Sequence, residues 1–270
     1  MKDLIDAALE EDLGGGDLTS EAVIDPSAEA RGEIHQKAPG VIAGMHVAEA
    51  AFEGLAFDWL CGEGEWRDGG PVAAVEGNAR LLMERERVAL NFLGRLSGIA
   101  TLTARFVEAV EGTGAVILDT RKTTPGLRAL EKEAVRTGGG HSHRDGLYDA
   151  ILVKENHSAI AGGVLHAAEL ALAHAPSGVL VEVEVASIEE LELALAAGVP
   201  RILLDNMEPA QLLDAVSINA GRASLEASGG ITLDNVRDVA ATGVEFISIG
   251  ALTHSATALD LSLTCTPTST

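Results

Sequence analysis

The sequence predicts an α/β protein: an incomplete, open α/β barrel preceded by an α+β sandwich-like domain. Three observations carry this prediction. From about residue 115, short β-branched runs alternate with amphipathic helical stretches, the pattern of a parallel sheet covered by helices. Polar residues recur at the same end of each run, where parallel barrels place their functional groups. Residues 1–110 lack the alternation and read as a separate domain.

In order along the chain, Met1–Asp12 reads as a short helix, followed by the breaker Gly14-Gly15-Gly16. Segments 31–44 and 70–76 read as strands, and Ala79–Glu111 as a long helical stretch interrupted near Ser97-Gly98. Glu111-Gly112-Thr113-Gly114 marks the boundary, giving domains 1–112 and 113–270, with the last ~15 residues packing back onto the first. The barrel strands are Ala115–Asp119, Ala150–Lys154, Val179–Val185, Arg201–Asp205, Ser224–Ala227 and Phe246–Gly250. Leu127–Val135, Ile188–Ala197 and Leu233–Ala241 are among the helices between them. Six strands fall short of the eight of a closed barrel, so an open one is expected. The Thr- and Ser-rich tail Thr264–Thr270 is expected to fray.

Composition removes several function classes. No apolar run reaches the ~18 residues of a membrane helix, and Met1-Lys2-Asp3-Leu4 does not begin a signal peptide. Cytoplasmic location, with no membrane partner, is therefore expected. Cysteine occurs only at 61 and 265, so no disulfide framework is expected. The net charge of −22 repels a phosphate backbone and excludes nucleic acid as a partner. Only five of the 19 basic residues are Lys. An acidic surface poor in lysine suits a halophilic protein kept soluble in high salt.

The charge is not evenly spread. Residues 121–157 hold Arg121, Lys122, Arg128, Lys132, Arg136, Arg144 and Lys154 against Glu131, Glu133, Asp145, Asp149 and Glu155. Arg128, Glu131, Lys132 and Glu133 partly fit a helix carrying solvated salt bridges. Arg121, Lys122, His143, Arg144 and Lys154 fit no single helical pattern and point to an anion-binding site. Thr137–His143 reads as a mobile glycine-rich loop. His141 and His143 lack the further ligands that a zinc site needs.

The strand ends supply the rest. They read Asp119-Thr120-Arg121-Lys122-Thr123, Lys154-Glu155-Asn156-His157, Glu184, Asp205-Asn206, Ser228-Gly229-Gly230 and Gly250-Ala251. The two glycine turns, each placed before a helix (the first at residue 232), suit a phosphate cradle, or equally an ordinary strand-to-helix turn. Glu184 and Asp205 can hold ribose hydroxyls or Mg²⁺. Glu182 shares the face of Glu184, because side chains alternate along a strand.

These motifs, together with Pro125-Gly126-Leu127-Arg128, Gly138-Gly139-Gly140, Val181–Val185, Leu203–Asn206, Glu226–Gly230 and Gly250–Ser255, resemble quinolinate phosphoribosyltransferases. Upstream, Glu10–Ser20 and Glu86–Thr101 do so too. The resemblance runs through nearly the whole chain. It implies a type II phosphoribosyltransferase fold and the conversion of quinolinate and 5-phosphoribosyl 1-pyrophosphate (PRPP) to nicotinate mononucleotide, pyrophosphate and CO₂, in de novo NAD biosynthesis. It implies Mg²⁺, and a homodimer, or a hexamer built of dimers, whose sites are completed by a neighbour's Arg87.

By the same resemblance Thr120, Arg121, Lys122, His143, Arg144 and Lys154 bind the carboxylates and pyrophosphate. Glu184 and Asp205 lie near the ribose and Mg²⁺, and Ser228, Gly229, Gly230, Gly250 and Ala251 form the phosphate turns. Lys122, Lys154, Glu184 and Asp205 are the catalytic candidates. Ser142 departs from the Asn of many bacterial members, and the Thr-rich C-terminus departs from an apolar one. Rival readings are a nicotinate phosphoribosyltransferase or molybdenum-associated paralogue, a Schiff-base aldolase using Lys154, and a binding protein without catalysis.

Overall fold

A computed structural model describes residues 1–268. The first elements are α1 (Lys2–Leu13), α2 (Leu18–Val23), β1 (Glu29–Gln36), β2 (Gly40–Val41), α3 (Met45–Ala51), β3 (Ala56–Trp59), β4 (Trp66–Arg67), β5 (Gly70–Asn78) and α4 (Ala79–Ala109). Alternation then sets in with β6 (Val116–Leu118), α5 (Arg128–Thr137), β7 (Ala150–Val153), α6 (Glu155–Ala161), α7 (Val164–His174), β8 (Leu180–Val185) and α8 (Ile188–Ala197). It continues through β9 (Arg201–Asp205), α9 (Pro209–Asn219), β10 (Ser224–Ser228), α10 (Val236–Ala240), β11 (Phe246–Ser248) and α11 (Ala251–His254), and the chain closes with β12 (Leu261–Pro267). Two compact units result. Unit 1 holds Met1–Ala104, Thr137–Gly139 and the segment from Ala256 on; unit 2 holds Arg105–Arg136 and Gly140–Ser255. The boundary expected at residue 112 thus falls inside unit 2.

Unit 1 is built on an antiparallel sheet of order β12-β1-β5-β3. Two expectations fail here. Thr264–Pro267 does not fray: it pairs with β1 from Glu33↔Thr264 to Ala30↔Pro267, because β-branched Thr suits a strand as well as a tail. Residues 269 and 270 of that expected tail lie outside the described residues. The second failure is the break at Ser97-Gly98, since α4 runs through it unbroken. Ser97 is placed there to bond Ala43, its Oγ lying 3.0 Å from the Ala43 N–H. Gly98 admits the chain at Thr257, whose carbonyl oxygen would lie 2.1 Å from any Cβ added. The expected strand 31–44 is also split into β1 and the two-residue β2, and β3 and β4 carried no clear sequence signal.

Unit 2 is a parallel sheet of order β6-β11-β10-β9-β8-β7. Among the described residues no pairing joins β6 to β7, so the barrel is open. Among the described residues the free edge of β6 is met by the bridge Leu118↔His141. Each strand sends alternate residues to opposite faces. Val181, Val183, Ile202, Leu204, Leu225 and Ala227 are buried on one face. Helices fill that side with residues such as Leu191 and Leu195 of α8 and Leu212 of α9. Burying one such leucine contributes about 1.5–3 kcal/mol. The side chains at Leu152, Glu182, Glu184, Leu203, Asp205, Glu226 and Ser228 take the other face, and that interior carries the chemistry.

Candidate active site

A cavity of about 780 Å³ opens at the C-terminal ends of the unit 2 strands. Thr120, Arg121, Lys122, His143, Arg144, Lys154, Glu184, Asp205, Ser228, Gly229, Gly230, Gly250 and Ala251 all line it. Of the sequence candidates only Arg87 does not. It lies on α4 in unit 1, 60% exposed, with Glu86 at 3.8 Å. Sequence reasoning missed Leu152, Leu203, Glu226, Ile231, Thr232, Ser248, Ile249 and His254, which also line the cavity, and read Asn206 only as a strand-end group. Most sit inside the expected strand ends, one or two positions from a named candidate.

The cationic wall is held rigidly from behind. Arg128, on the first turn of α5, donates to Thr123 Oγ1 at 3.0 Å, to the Arg121 carbonyl at 3.3 Å and to the Asp145 carbonyl at 3.1 Å. Glu131 accepts from the Thr124 N–H and hydroxyl at 3.0 and 2.7 Å. Lys132 is not a solvated helix charge, contrary to the salt-bridge reading. It is 1% exposed and its ammonium pairs with Asp119 while donating to the carbonyls of His143 and Arg144 at 3.1 and 3.3 Å. Asp119 also accepts the His143 N–H at 2.9 Å. Burial raises the Asp119 pKa, and Lys132 opposes that rise. Of the loop Thr137–His143, expected to be mobile, His141 is held by its bridge to Leu118 and His143 by Asp119 and Lys132.

Arg121 keeps a buried Nε with no acceptor among the described residues. A buried donor left unmet costs about 1–3 kcal/mol, so this nitrogen is shaped for an incoming anion. Burial and the neighbouring Arg121 charge lower the Arg144 pKa. Lys154 Nζ lies 2.6 Å from Glu184 Oε2, and Glu184 also accepts the Glu155 N–H at 3.4 Å.

On the opposite wall, Asn206 adopts φ 54° and Gly229 φ 92°. A Cβ at Gly229 would sit 2.2 Å from Asn206 Oδ1, which is why this turn needs glycine. The expectation of a helix at 232 fails: α10 begins at Val236 and has five residues. Any anion held by the glycine turn is met by loop N–H groups and not by the end of a long helix. At the second turn a Cβ on Gly250 would lie 3.0 Å from Lys122 Cδ, and Thr253 Oγ1 donates to the Lys122 carbonyl at 2.7 Å.

Two sets of acids invite a cation. Glu184 and Asp205 offer hard oxygens at the cavity wall, the kind of ligand that holds Mg²⁺ alongside substrate phosphates. His143, Glu182 and Glu226 lie deeper, with donor atoms within 4.8 Å of one another. There the Arg201 guanidinium already touches both carboxylates, at 3.4 Å from Glu182 and 2.6 Å from Glu226. Its charge opposes a metal ion at this trio, as the Lys154 ammonium 2.6 Å from Glu184 opposes one at the cavity wall.

Sequence comparison decides the family. Family models for the N-terminal and C-terminal domains of quinolinate phosphoribosyl transferase match residues 17–97 and 99–264. The chain belongs to the quinolinate phosphoribosyl transferase family. It is 42% identical over 272 residues to a probable carboxylating nicotinate-nucleotide pyrophosphorylase of Bacillus subtilis (strain 168), covering 98% of this chain and 93% of that one. The carboxylating nicotinate-nucleotide pyrophosphorylase of Mycobacterium leprae is 43% identical over 278 residues, covering 97% and 96%. The crystal structure of NadC from Streptococcus pyogenes superposes with a TM-score of 0.93 at 41% identity, covering 99% of this chain and 96% of that one. Among the described residues no helix is long and apolar enough to cross a membrane.

Proposed function

We propose that this member of the quinolinate phosphoribosyl transferase family converts quinolinate and PRPP to nicotinate mononucleotide, pyrophosphate and CO₂, in the cytoplasm, on the route to NAD. One observation carries the reading. Four cationic side chains and His143 converge on one cavity of a protein whose net charge is −22, and one guanidinium nitrogen there is buried without a partner among the described residues. Such a site takes a small polyanion. A dicarboxylate beside a pyrophosphate uses all five groups, and the volume lies in the range of small-molecule sites.

Arg121, His143 and Arg144 grip the two ring carboxylates and aim the ring nitrogen at the anomeric carbon of PRPP. Lys122 and the N–H groups of the Gly229-Gly230 and Gly250-Ala251 turns receive phosphate and pyrophosphate oxygens. As the C1–O bond breaks, negative charge grows on the leaving pyrophosphate, and Lys122 and Lys154 stabilise it. Glu184 and Asp205 face the ribose as it becomes cationic. They would also hold Mg²⁺, which when bound with the pyrophosphate adds neutralising charge. The ring nitrogen forms the new C1–N bond and becomes positive. The bond to the 2-carboxylate then breaks, its electron pair remains on the ring carbon beside the nitrogen, CO₂ leaves, and that carbon takes a proton.

A nicotinate phosphoribosyltransferase would have one carboxylate for this cationic wall and would leave part of it unmatched. An aldolase needs an uncharged lysine amine, whereas Lys154 is paired with Glu184. We further propose a homodimer or larger assembly in which Arg87 of the partner subunit completes each cavity. Support for this is the exposure of Arg87 and its weak local pairing. The test is to supply PRPP and Mg²⁺ with either quinolinate or nicotinate and measure nicotinate mononucleotide. Product from quinolinate alone is expected; product from nicotinate alone would reassign the enzyme.

A further inference from the structure

Under the cavity floor, His143 meets a buried ionic cluster that the reaction above does not use. Its Nε2 lies 2.9 Å from Glu182 Oε2 on β8 and 3.4 Å from Glu226 Oε1 on β10. Arg201 on β9 spans the same two carboxylates from the far side, and its guanidinium rests 3.8 Å over the Phe246 ring. Glu182 and Glu226 are 1% and 0% exposed. Two carboxylates against one guanidinium leave one negative charge over, in a place where an uncompensated charge costs several kcal/mol.

The other charged groups around His143 offset it only in part: Arg144 attracts Glu182 from the cavity side. Lys132 on α5 and Asp119 beyond β6 hold the His143 backbone and neutralise each other. Arg144 and Arg121 stand at the cavity, where substrate is received. A proton on His143 balances the cluster; a proton on Glu182, whose pKa is raised by burial and by Glu226, is opposed by His143 and Arg201.

One contact opposes that proton. The Arg144 N–H points at His143 Nδ1 at 2.7 Å, which requires an unprotonated nitrogen. A neutral hydrogen bond of that kind is worth about 0.5–1.5 kcal/mol, whereas each contact between an ionised donor and a carboxylate is worth about 1.5–3. The single Nε2–H already faces Glu182 in the neutral ring, so the second proton acts by making that contact charge-assisted and by attracting Glu226, and in the charged state the Arg144 N–H gives way. Burial by itself depresses the His143 pKa, but Glu182 and Glu226 overcome this and raise it to about 9.

Resting on the quinolinate reading of the cavity, we propose that Glu182 and Glu226 are positioning residues: they keep His143 an imidazolium, and so give the cavity a permanent charge against one carboxylate of its substrate. The sign follows from the raised folded pKa. The charge, and the stability it contributes, is fully present below the unfolded value of about 6.5 and is lost as pH rises through about 9.

Full-length protein carrying ¹³Cε1-histidine, with the His143 signal assigned by its loss in His143→Gln, tests this by NMR titration. A midpoint near 9 is expected, and Glu182→Gln and Glu226→Gln should each lower it by about 1–3 units. A wild-type midpoint at or below about 6.5 would overturn the proposal even if neither variant folds. Calorimetric titration with quinolinate at a series of pH values supplies the second arm. Its Kd should rise through the same midpoint in wild type and at lower pH in Glu182→Gln. Affinity that stays flat across the midpoint overturns the role in binding. No quinolinate binding at any pH, with the midpoint still near 9, refutes the substrate reading and leaves the charge-holding intact.

Discussion

The Lys132–Asp119 pair offers the sharpest test of how the cationic wall is held. Lys132→Met keeps most of the side chain's length and volume but removes the ammonium that meets Asp119 and the carbonyls of His143 and Arg144. It leaves a fully buried carboxylate unpaired. Breaking a buried ion pair by deleting one partner costs about 3–5 kcal/mol, or about two to four decades in the folding equilibrium. Asp119→Asn strands the ammonium instead and should cost a similar amount. The double variant Lys132→Met/Asp119→Asn strands neither charge, so it should be more stable than the two single costs added together, by about 2 kcal/mol or more.

Probes must be chosen for the right unit, because Trp59 and Trp66, the two tryptophans of the chain, both lie in unit 1. Urea unfolding followed by circular dichroism reports helices of both units, and hydrogen exchange of the 115–145 peptides reports the pair directly. Single variants that each cost under about 1 kcal/mol, or that add without coupling, would refute the claim that this pair anchors the wall.

Other outcomes follow from the same geometry. Arg121→Ala and Lys154→Ala should each lower kcat/KM by about 10²-fold or more while leaving the circular dichroism spectrum unchanged; near-normal turnover in either variant removes that residue from the site. Gly98→Ala would drive a methyl group to 2.1 Å from the Thr257 carbonyl and should destabilise unit 1 by about 1–3 kcal/mol, read by tryptophan fluorescence in urea. An acidic chain with five lysines should gain thermal stability between low and molar KCl, and a melting temperature indifferent to salt would count against adaptation to high salt.

The barrel was legible because its strands are buried on both faces and read as continuous β-branched runs, so all six were placed within two residues of their ends. The strand-end groups followed, since parallel strands deliver consecutive C-terminal residues to one rim. Less was legible where one residue serves two patterns. Lys132 sits between Glu131 and Glu133, which is also how a solvated helix reads, and only the fold brings Asp119 to it. Alternation along Val181–Val185 put Glu182 on the face of Glu184, but did not say on which side of the sheet that face lies. Glu182's partners Glu226 and Arg201 come from strands 44 and 19 residues on, and only sheet order joins them. Gly98 reads as a helix breaker until the chain at Thr257 is seen to need its place. β12 was hidden because threonine marks both strands and tails.

The central claim is that the cavity couples glycosyl transfer to loss of the 2-carboxylate. Quinolinate labelled with ¹³C in that carboxylate, incubated with PRPP, Mg²⁺ and enzyme, tests it most directly. Labelled CO₂, nicotinate mononucleotide and pyrophosphate are expected in equal amounts, with none formed when PRPP is omitted. Labelled carboxylate retained in a nucleotide product, or CO₂ released without PRPP, would contradict it.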